Sequence, residues 1–370
     1  MHPLKKIWMN GKFVPFKQAK VHILTHALHY GTAIFEGVRC YPTPRGPVIF
    51  RLHDHLARLY RGMKIYDIHI PYKIEQLEKA TLELIKKNKT DRAYIRPIVY
   101  LGYKLIGLTT RGAPVEVAII AVHFDHYFSE AIRKKGLRCK ISTWTRQFQQ
   151  ALSPHVKASA NYLNSILAKV EAEREGYDEA IMLTHEGHVS EGSGENIFIA
   201  RKGKLITPPF SDDILGGITR ESVIQIARDK GIEAEEKIIL RDELYTADEV
   251  FLTGTAAEIL HVREIDGIKI ADGRAGPITR KLQETFQRMV RAEEPAYSHW
   301  LTIVPRESFA KKNELQKMNK QKTDPKPRSH ARSEKPNNPY SKKKIRKSIF
   351  PGQTLWGSSC IICLETIIVR

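Results

Sequence analysis

Apolar and polar residues change their period several times along the chain, and each period predicts one kind of element. The apolar runs at 7–9 and 12–14 flank Asn10-Gly11, a strong signal for a β-hairpin with a two-residue turn. The runs at 37–41 and 47–50 flank PTPRG and predict a second hairpin. Two helices and two long buried strands are predicted next, at 53–63, 73–87, 93–102 and 115–124.

A second block of elements follows a connecting stretch at 125–136. Short apolar runs predict strands there, and ESVIQIARDKG predicts a helix with Gly231 just past its end. Because strands and helices occur in segregated groups, the expected fold class is α+β. We predict a small domain at 1–124, a large domain at 137–304 and a separate tail at 305–370.

The stretch PHVKASANYLNSILAKVEAEREG places Lys157 among small residues, directly before a predicted helix. The apolar residues of that helix recur with the spacing of one amphipathic face: Leu163, Ile166, Leu167 and Val170. Lys157 lies outside this face, and its neighbours in the sequence leave room around its amine.

The charge of the chain is concentrated in the tail, where 305–370 carries a net +11 of the total +19. This segment has few apolar residues and many Lys, Pro, Asn and Ser, a composition typical of disorder. Basic runs such as SKKKIRK attract phosphate backbones, so nucleic-acid binding through the tail is an alternative function. The tail has no recognisable binding motif and few interleaved aromatics, and we expect no nucleic-acid partner.

Four scattered cysteines do not form a disulfide framework, which favours a reducing compartment. The N-terminus has no apolar segment of a signal peptide, and no apolar run is long enough for a membrane span. A cytoplasmic protein is therefore expected. Neither the single pair Cys360 and Cys363 nor the helically spaced His22, His26 and His29 has the companions of a metal site, so no metal is expected.

A lysine amine can condense with an aldehyde, and a lysine among small residues is a candidate for such a Schiff base. An aldehyde cofactor with a phosphate and a ring nitrogen also needs an anion cradle, a carboxylate and a donor to its ring hydroxyl. A Gly-Gly pair before a helix start can cradle phosphate, and a guanidinium can bind it. The candidates for these roles are Gly216-Gly217, Thr255, Arg58, Glu191, Glu195 and Tyr162.

Six motifs together closely resemble the branched-chain amino acid aminotransferases, which belong to the class IV pyridoxal-phosphate enzymes. They are HALHYGTAIFEGVRCY (26–41), AYIRP (93–97), KASANYLNS (157–165), SEGSGENIF (190–198), LGGITR (215–220) and GTAAEI (254–259). The resemblance covers residues from about 5 to 304 in order. It implies the two-domain, D-amino acid aminotransferase-like fold (PLP fold type IV) and a homo-oligomer, either a dimer or a hexamer.

Carried over to this sequence, the resemblance implies that Lys157 binds pyridoxal 5'-phosphate covalently and acts as the catalytic residue. Arg58, the backbone of Ile218 and Thr219, and Thr255 would bind the phosphate. Glu191 would face the ring nitrogen, and Tyr162 would donate to the ring hydroxyl.

The resemblance also implies a substrate site for two kinds of side chain. Tyr94 and the backbone of Ala256-Ala257 would receive the α-carboxylate. Arg96, Tyr30 and Tyr127 would accept the side-chain carboxylate of glutamate, and Phe35 would form part of the aliphatic pocket. The expected reaction moves the amino group of L-leucine, L-isoleucine or L-valine to 2-oxoglutarate.

Two other class IV activities are the alternatives within the enzyme class: D-amino acid transamination and lysis of aminodeoxychorismate. AYIRP and ANYLNS favour the branched-chain pattern over both. The chain departs from that pattern at Ser159-Ala160, where a glycine usually precedes the asparagine, and at Gly216-Gly217, where many relatives have Pro-Gly. The first departure predicts a slightly narrower cofactor pocket and the second a more flexible loop.

Overall fold

A computed structural model of the chain describes residues 2–305. The tail at 306–370, with Cys360 and Cys363, lies outside the described residues, so the interpretation of the tail stays a prediction. The described residues fall within one compact unit. No helix among them is long and apolar enough to cross a membrane.

The first part of the chain contains eight strands and three helices. The strands are β1 (His2–Pro3), β2 (Lys6–Met9), β3 (Lys12–Pro15), β4 (Ala33–Phe35), β5 (Val38–Tyr41), β6 (Val48–Phe50), β7 (Ala93–Leu101) and β8 (Val115–His123). The helices are α1 (His26–Tyr30), α2 (Leu52–Ile65) and α3 (Ile74–Asn88).

The second part contains the remaining ten strands and five helices. The strands are β9 (Leu137–Ile141), β10 (Glu179–Leu183), β11 (Val189–Gly192), β12 (Asn196–Arg201), β13 (Lys204–Thr207), β14 (Ala234–Glu236), β15 (Glu249–Gly254), β16 (Glu258–Ile265), β17 (Ile268–Lys269) and β18 (Leu301–Ile303). The helices are α4 (Glu130–Lys135), α5 (Tyr162–Arg174), α6 (Ile218–Asp229), α7 (Arg241–Tyr245) and α8 (Pro277–Val290).

The strands form two nine-stranded sheets. The first sheet has the order β18-β6-β5-β7-β8-β2-β3, with β4 beside β7 and β1 beside β8, and its pairings are antiparallel. The second sheet has the order β11-β10-β9-β16-β15-β12-β13-β14, with β17 beside β16. It is mixed, because β9 runs parallel to both of its neighbours. Helices and strands of this kind confirm the α+β prediction.

The local patterns correctly predicted both hairpins of the first sheet and the helices α2 and α3. Strands β2 and β3 pair across the Asn10-Gly11 turn, where both residues have positive φ, as this turn type requires. Strands β5 and β6 form the second hairpin. The predicted helices at 53–63 and 73–87 correspond to α2 and α3.

Apolar side chains fill three main layers. One lies between the first sheet and helices α2 and α3, and another within the second sheet. The third joins the two sheets, because Phe50 of β6 packs edge-on against Phe286 of α8, with their ring centres 5.5 Å apart. This shared layer holds residues from both sheets in fixed positions around the site described below.

Helix α5 buries a different face from the one its apolar spacing indicated. Its buried residues are the small ones, Ser165, Ala168 and Ala172. Leu163 and Ile166 are 64% and 54% exposed. Small side chains let α5 pack closely on β10, so the apolar stripe faces away from the core of this chain.

Candidate active site

Lys157 is held in place by strand-like pairing with the first sheet. Its carbonyl accepts a hydrogen bond from the backbone N–H of Phe35 at 3.0 Å, and Ala158 forms a bridge with Ile34. The Lys157 ammonium donates to the hydroxyl of Tyr162 at 2.6 Å. The structure therefore brings together the predicted amine and the predicted donor to a ring hydroxyl.

One end of the cavity beside Lys157 has the features of an anion site. Helix α6 begins at Ile218 after its N-cap Gly217, and the first N–H groups of a helix have no partners within it. Arg58 of α2 lines the same cavity, together with Thr219 and Thr255. The predicted phosphate-binding residues Arg58, Ile218, Thr219 and Thr255 thus line one cavity.

Arg58 is oriented by a buried acid that the sequence patterns did not single out. Glu36 is fully buried and accepts from Arg58 at 2.6 and 2.9 Å and from His55 at 2.8 Å. Burial alone would raise the pKa of Glu36, but the charge of Arg58 and the hydrogen bond from His55 lower it well below its usual range. Glu36 is therefore ionised, and it fixes the guanidinium beside the N-terminus of α6.

Gly217 is required by close packing rather than by an unusual backbone angle. A Cβ at this position would lie 1.9 Å from Oδ1 of Asn196. The amide of Asn196 in turn donates to the Leu215 carbonyl and to Glu191, both at 2.9 Å. The Gly-Gly segment, expected to be flexible, thus packs against Asn196, which is hydrogen-bonded to the Glu191 carboxylate.

Glu191 lines the same cavity and has hydrogen-bond or ion-pair partners on both carboxylate oxygens. Arg146 lies 2.6 Å from Oε1, and Asn196 and the backbone N–H of Leu215 donate to Oε2. The residue lies on β11, next to the last residue of that strand. Burial raises its pKa, and the charge of Arg146 opposes that rise.

These residues fit pyridoxal phosphate by the chemistry of their groups. A guanidinium and helix N–H groups are suited to bind a phosphate, and a buried carboxylate is suited to accept from a protonated ring nitrogen. An amine and a phenol line the same cavity, 2.6 Å apart. Each polar group of the cofactor would meet a side chain of matching charge or hydrogen-bonding type.

A second cavity of about 360 Å³ opens from the same lysine and contains most of the predicted substrate residues. Its lining includes Phe35, Tyr94, Arg96, Tyr127 and Ala256. The Arg96 guanidinium lies 4.3 Å from the centre of the Phe35 ring and donates to the Tyr94 hydroxyl at 3.0 Å. Aromatic walls and one cation therefore share this space.

Gly37 makes room for Tyr94 in this cavity, because a Cβ there would lie 2.1 Å from the tyrosine oxygen. Within residues 2–305, the buried Nε of Arg96 has no hydrogen-bond partner. The guanidinium therefore retains capacity for an anionic ligand.

Two predicted substrate residues are placed elsewhere in this chain. Tyr30 and Ala257 are not among the described residues that line the two cavities. The Tyr30 hydroxyl accepts from the backbone N–H of Gly107 at 3.0 Å, and Ala257 packs against the core of the second sheet. Ala160, which we expected to narrow the cofactor pocket, lies instead with its methyl group against Gly31.

Sequence patterns also missed three buried charged residues of the site: Glu36, Arg146 and Arg39. Arg39 donates to the carbonyls of Asp125 and Ala256. These hydrogen bonds link β5 of the first sheet to the segments that contain the two acceptors. An arginine inside the predicted strand at 37–41 is the signal that could have revealed Arg39, whereas Glu36 lies just outside that strand. His26, from the candidate metal group, contacts the Thr32 hydroxyl and the Gly107 carbonyl. Among the described residues, no three metal-ligand side chains cluster.

The family model described as amino-transferase class IV matches residues 33–265, which include every residue of the cavity beside Lys157. The branched-chain-amino-acid aminotransferase of Escherichia coli (strain K12) is 42% identical over 299 residues, spanning 80% of this chain and 97% of its own. The chain is a class IV aminotransferase of the branched-chain-amino-acid aminotransferase family. The sequence resemblance and the expected fold are confirmed.

Solved structures of this aminotransferase family agree with the fold. The branched-chain aminotransferase of Thermoproteus uzoniensis with norvaline superposes with a TM-score of 0.78 at 46% identity, covering 82% of this chain and all of that one. The branched-chain amino acid aminotransferase of Thermobaculum terrenum, in a PLP-form, superposes with a TM-score of 0.78 at 36% identity and the same coverage. About a fifth of this aminotransferase has no counterpart in either.

Proposed function

We propose that this aminotransferase uses pyridoxal 5'-phosphate to move the amino group of L-leucine, L-isoleucine or L-valine to 2-oxoglutarate. The observation that carries the proposal is the position of Lys157. Its amine lines the cavity that also contains Arg58, the start of α6 and Glu191, and it opens onto the aromatic cavity with Arg96. The PLP-form of the Thermobaculum terrenum relative supports the cofactor assignment.

The side chains around the cavity have different roles in binding the cofactor and in moving the proton. Arg58, Thr255 and the N–H groups of Ile218 and Thr219 would hold the phosphate, and Glu191 would keep the ring nitrogen protonated. The bound cofactor supplies an electron sink that acidifies the hydrogen on the substrate Cα. The Lys157 amine would remove that proton from the substrate Cα and would then deliver it to the adjoining carbon of the cofactor.

The substrate cavity meets two demands that conflict. Phe35, Tyr94 and Tyr127 supply apolar surface for a branched aliphatic side chain. Arg96 supplies a charge for the second carboxylate of 2-oxoglutarate, and its stacking on Phe35 keeps it at the wall when an aliphatic chain is bound. Tyr94 and the backbone at Ala256 receive the α-carboxylate.

We further propose a homo-oligomer. Leu163, Ile166 and Leu167 form an exposed apolar stripe on α5, which a second copy would cover. Analytical ultracentrifugation tests this: Ile166→Lys should lower the average mass, whereas Lys134→Glu, at an exposed position of α4, should not.

Incubation of the purified enzyme with 2-oxoglutarate and single amino acids tests the proposed reaction. L-Leucine, L-isoleucine and L-valine should yield glutamate and their 2-oxo acids, and D-alanine should yield neither product. Turnover of D-alanine without L-leucine would replace the proposal with D-amino acid transamination.

A further inference from the structure

Two interacting buried carboxylates, one of which lines the substrate cavity, take no part in the reaction described above. Glu195 lines both cavities at Lys157 and is 7% exposed. Glu179 of β10 is completely buried and interacts electrostatically with it. Lys169 of α5 forms a salt bridge with Glu179 at 2.9 Å. Two acids thus share one nearby cation.

Hydrogen bonds favour the charge on only one of the two acids. Glu179 accepts from Lys169 at 2.9 Å, from the Ser193 hydroxyl at 2.5 Å and from the backbone N–H of Ala180 at 2.8 Å. Within the described part of the chain, the Glu195 side chain accepts one hydrogen bond, from the N–H of Gly194 at 3.1 Å. The less costly arrangement is an ionised Glu179 beside a protonated Glu195.

We propose that Glu195 is protonated at neutral pH and that its ionisation at alkaline pH selectively weakens the binding of dicarboxylate substrates. The inference rests on the proposed function, because it concerns the choice between 2-oxoglutarate and a branched-chain oxo acid. When Glu195 is neutral, the described residues that line this cavity include no negatively charged side chain, and Arg96 can attract a second carboxylate. An ionised Glu195 repels that carboxylate and reduces the attraction of Arg96.

The charged groups around Glu195 come from four elements, and most of them oppose its ionisation. Burial and the charge of Glu179 raise the pKa of Glu195 to about 8, while Lys169 opposes the rise and Glu191 of β11 adds to it. Tyr127, from the segment before α4, also faces the group, and its own pKa is raised by burial and by Glu195. The change in substrate preference should therefore be centred near that pH.

The holoenzyme's preference between two oxo acids tests this directly. The Michaelis constants for the dicarboxylate 2-oxoglutarate and for 4-methyl-2-oxopentanoate are measured from about pH 6 to about pH 10. The readout is the first constant divided by the second, because a titration that affects both substrates equally cancels in this ratio. In the wild type, this ratio should be constant below the midpoint and rise above it by up to about tenfold per pH unit. Glu195→Gln should abolish the rise. Glu179→Gln should move the midpoint of the Glu195 titration to lower pH. The substitution removes the repulsion between the two carboxylates, and Lys169 can then stabilise an ionised Glu195.

Difference infrared spectroscopy tests the protonation without any turnover. The wild type at neutral pH should show the carbonyl stretch of a protonated carboxyl group, and Glu195→Gln should lack it. The inference is overturned if the wild type lacks this band. It is also overturned if the ratio of Michaelis constants is independent of pH in the wild type, or if it rises equally in the wild type and in Glu195→Gln. If no oxo acid is turned over, the proposed function fails, and the infrared band still decides the charge of Glu195.

Discussion

Glu36 accepts two hydrogen bonds from Arg58, from Nε at 2.6 Å and from Nη2 at 2.9 Å. Both side chains are buried, and the remaining nitrogen of Arg58 donates to the Gly216 carbonyl at 2.6 Å. One acid thereby connects the first sheet, helix α2 and the loop that leads into α6. The anion site is an assembly of the whole unit rather than a local loop.

Glu36→Gln should destabilise the enzyme by about 3 kcal/mol, because it leaves the Arg58 charge buried without its partner. It should also weaken pyridoxal-phosphate binding, because the guanidinium loses its orientation. Denaturant unfolding and titration of the apoenzyme with cofactor measure the two effects. Glu78→Gln is the matched control, since Glu78 pairs with a His53 side chain that is 65% exposed. Equal stability of the two variants would contradict this role of Glu36.

The depressed pKa of Glu36 also predicts a pH dependence of stability. A carboxylate with a folded-state pKa below its unfolded value of about 4.3 stabilises the fold above that value and loses the contribution as pH falls further. The free energy of unfolding should therefore fall more steeply below about pH 4 in the wild type than in Glu36→Gln. Parallel curves for the two proteins would exclude this contribution.

Gly217→Ala should displace Asn196, since the new methyl group would lie 1.9 Å from its side-chain oxygen. Displacement of Asn196 breaks the hydrogen bond that it donates to Glu191, so the free energy of unfolding should fall by about 1–3 kcal/mol. The affinity for the cofactor should fall as well. Thermal unfolding and cofactor titration provide the measurements. Gly194→Ala is the stability control, because a Cβ there meets nothing within 4 Å. A Gly217→Ala protein as stable as this control would show that the loop adjusts freely.

Arg96→Gln should separate the two substrate classes. Loss of the guanidinium should raise the Michaelis constants for glutamate and 2-oxoglutarate by roughly 100-fold, and that for L-leucine far less. Steady-state kinetics of each half-reaction give the values. Arg92→Gln, which affects an exposed pair with Asp125 just before the same strand, serves as the control. An equal rise for leucine and glutamate would place the recognition of the second carboxylate elsewhere.

A chain that ends at Pro305 should fold and transaminate like the full chain. Val304 is fully buried, and its N–H donates to the Pro47 carbonyl, so the described contacts end at this point. Relatives that match 80% of this chain cover 97% of their own length. Circular dichroism melting and leucine transamination provide the test, and loss of activity would assign a function to the tail.

Sequence patterns predicted elements whose causes are local. The Asn10-Gly11 turn demands positive φ, and α2 and α3 carry regular apolar faces. Lys157 and Tyr162 were each predicted to contact the cofactor, and the two side chains form a hydrogen bond with each other.

The patterns failed where long-range contacts decide the outcome. The buried face of α5 is set by the close approach of β10, which local spacing does not encode. Glu36 and Arg58 are 22 residues apart, and Glu191 and Arg146 are farther apart still. Tyr30 lies outside the cavities because α1 holds it near Gly107. The spacing of the histidines indicated a helix here but not the contact that Tyr30 makes.

Reduction of the holoenzyme with borohydride, followed by mass spectrometry of its peptides, tests the central claim most directly. If Lys157 carries pyridoxal phosphate, the peptide with this residue should gain a phosphopyridoxyl group, and Lys157→Ala protein should show none. Wild-type enzyme that is saturated with the cofactor and yields an unmodified Lys157 peptide, or an adduct on another lysine, would contradict the account.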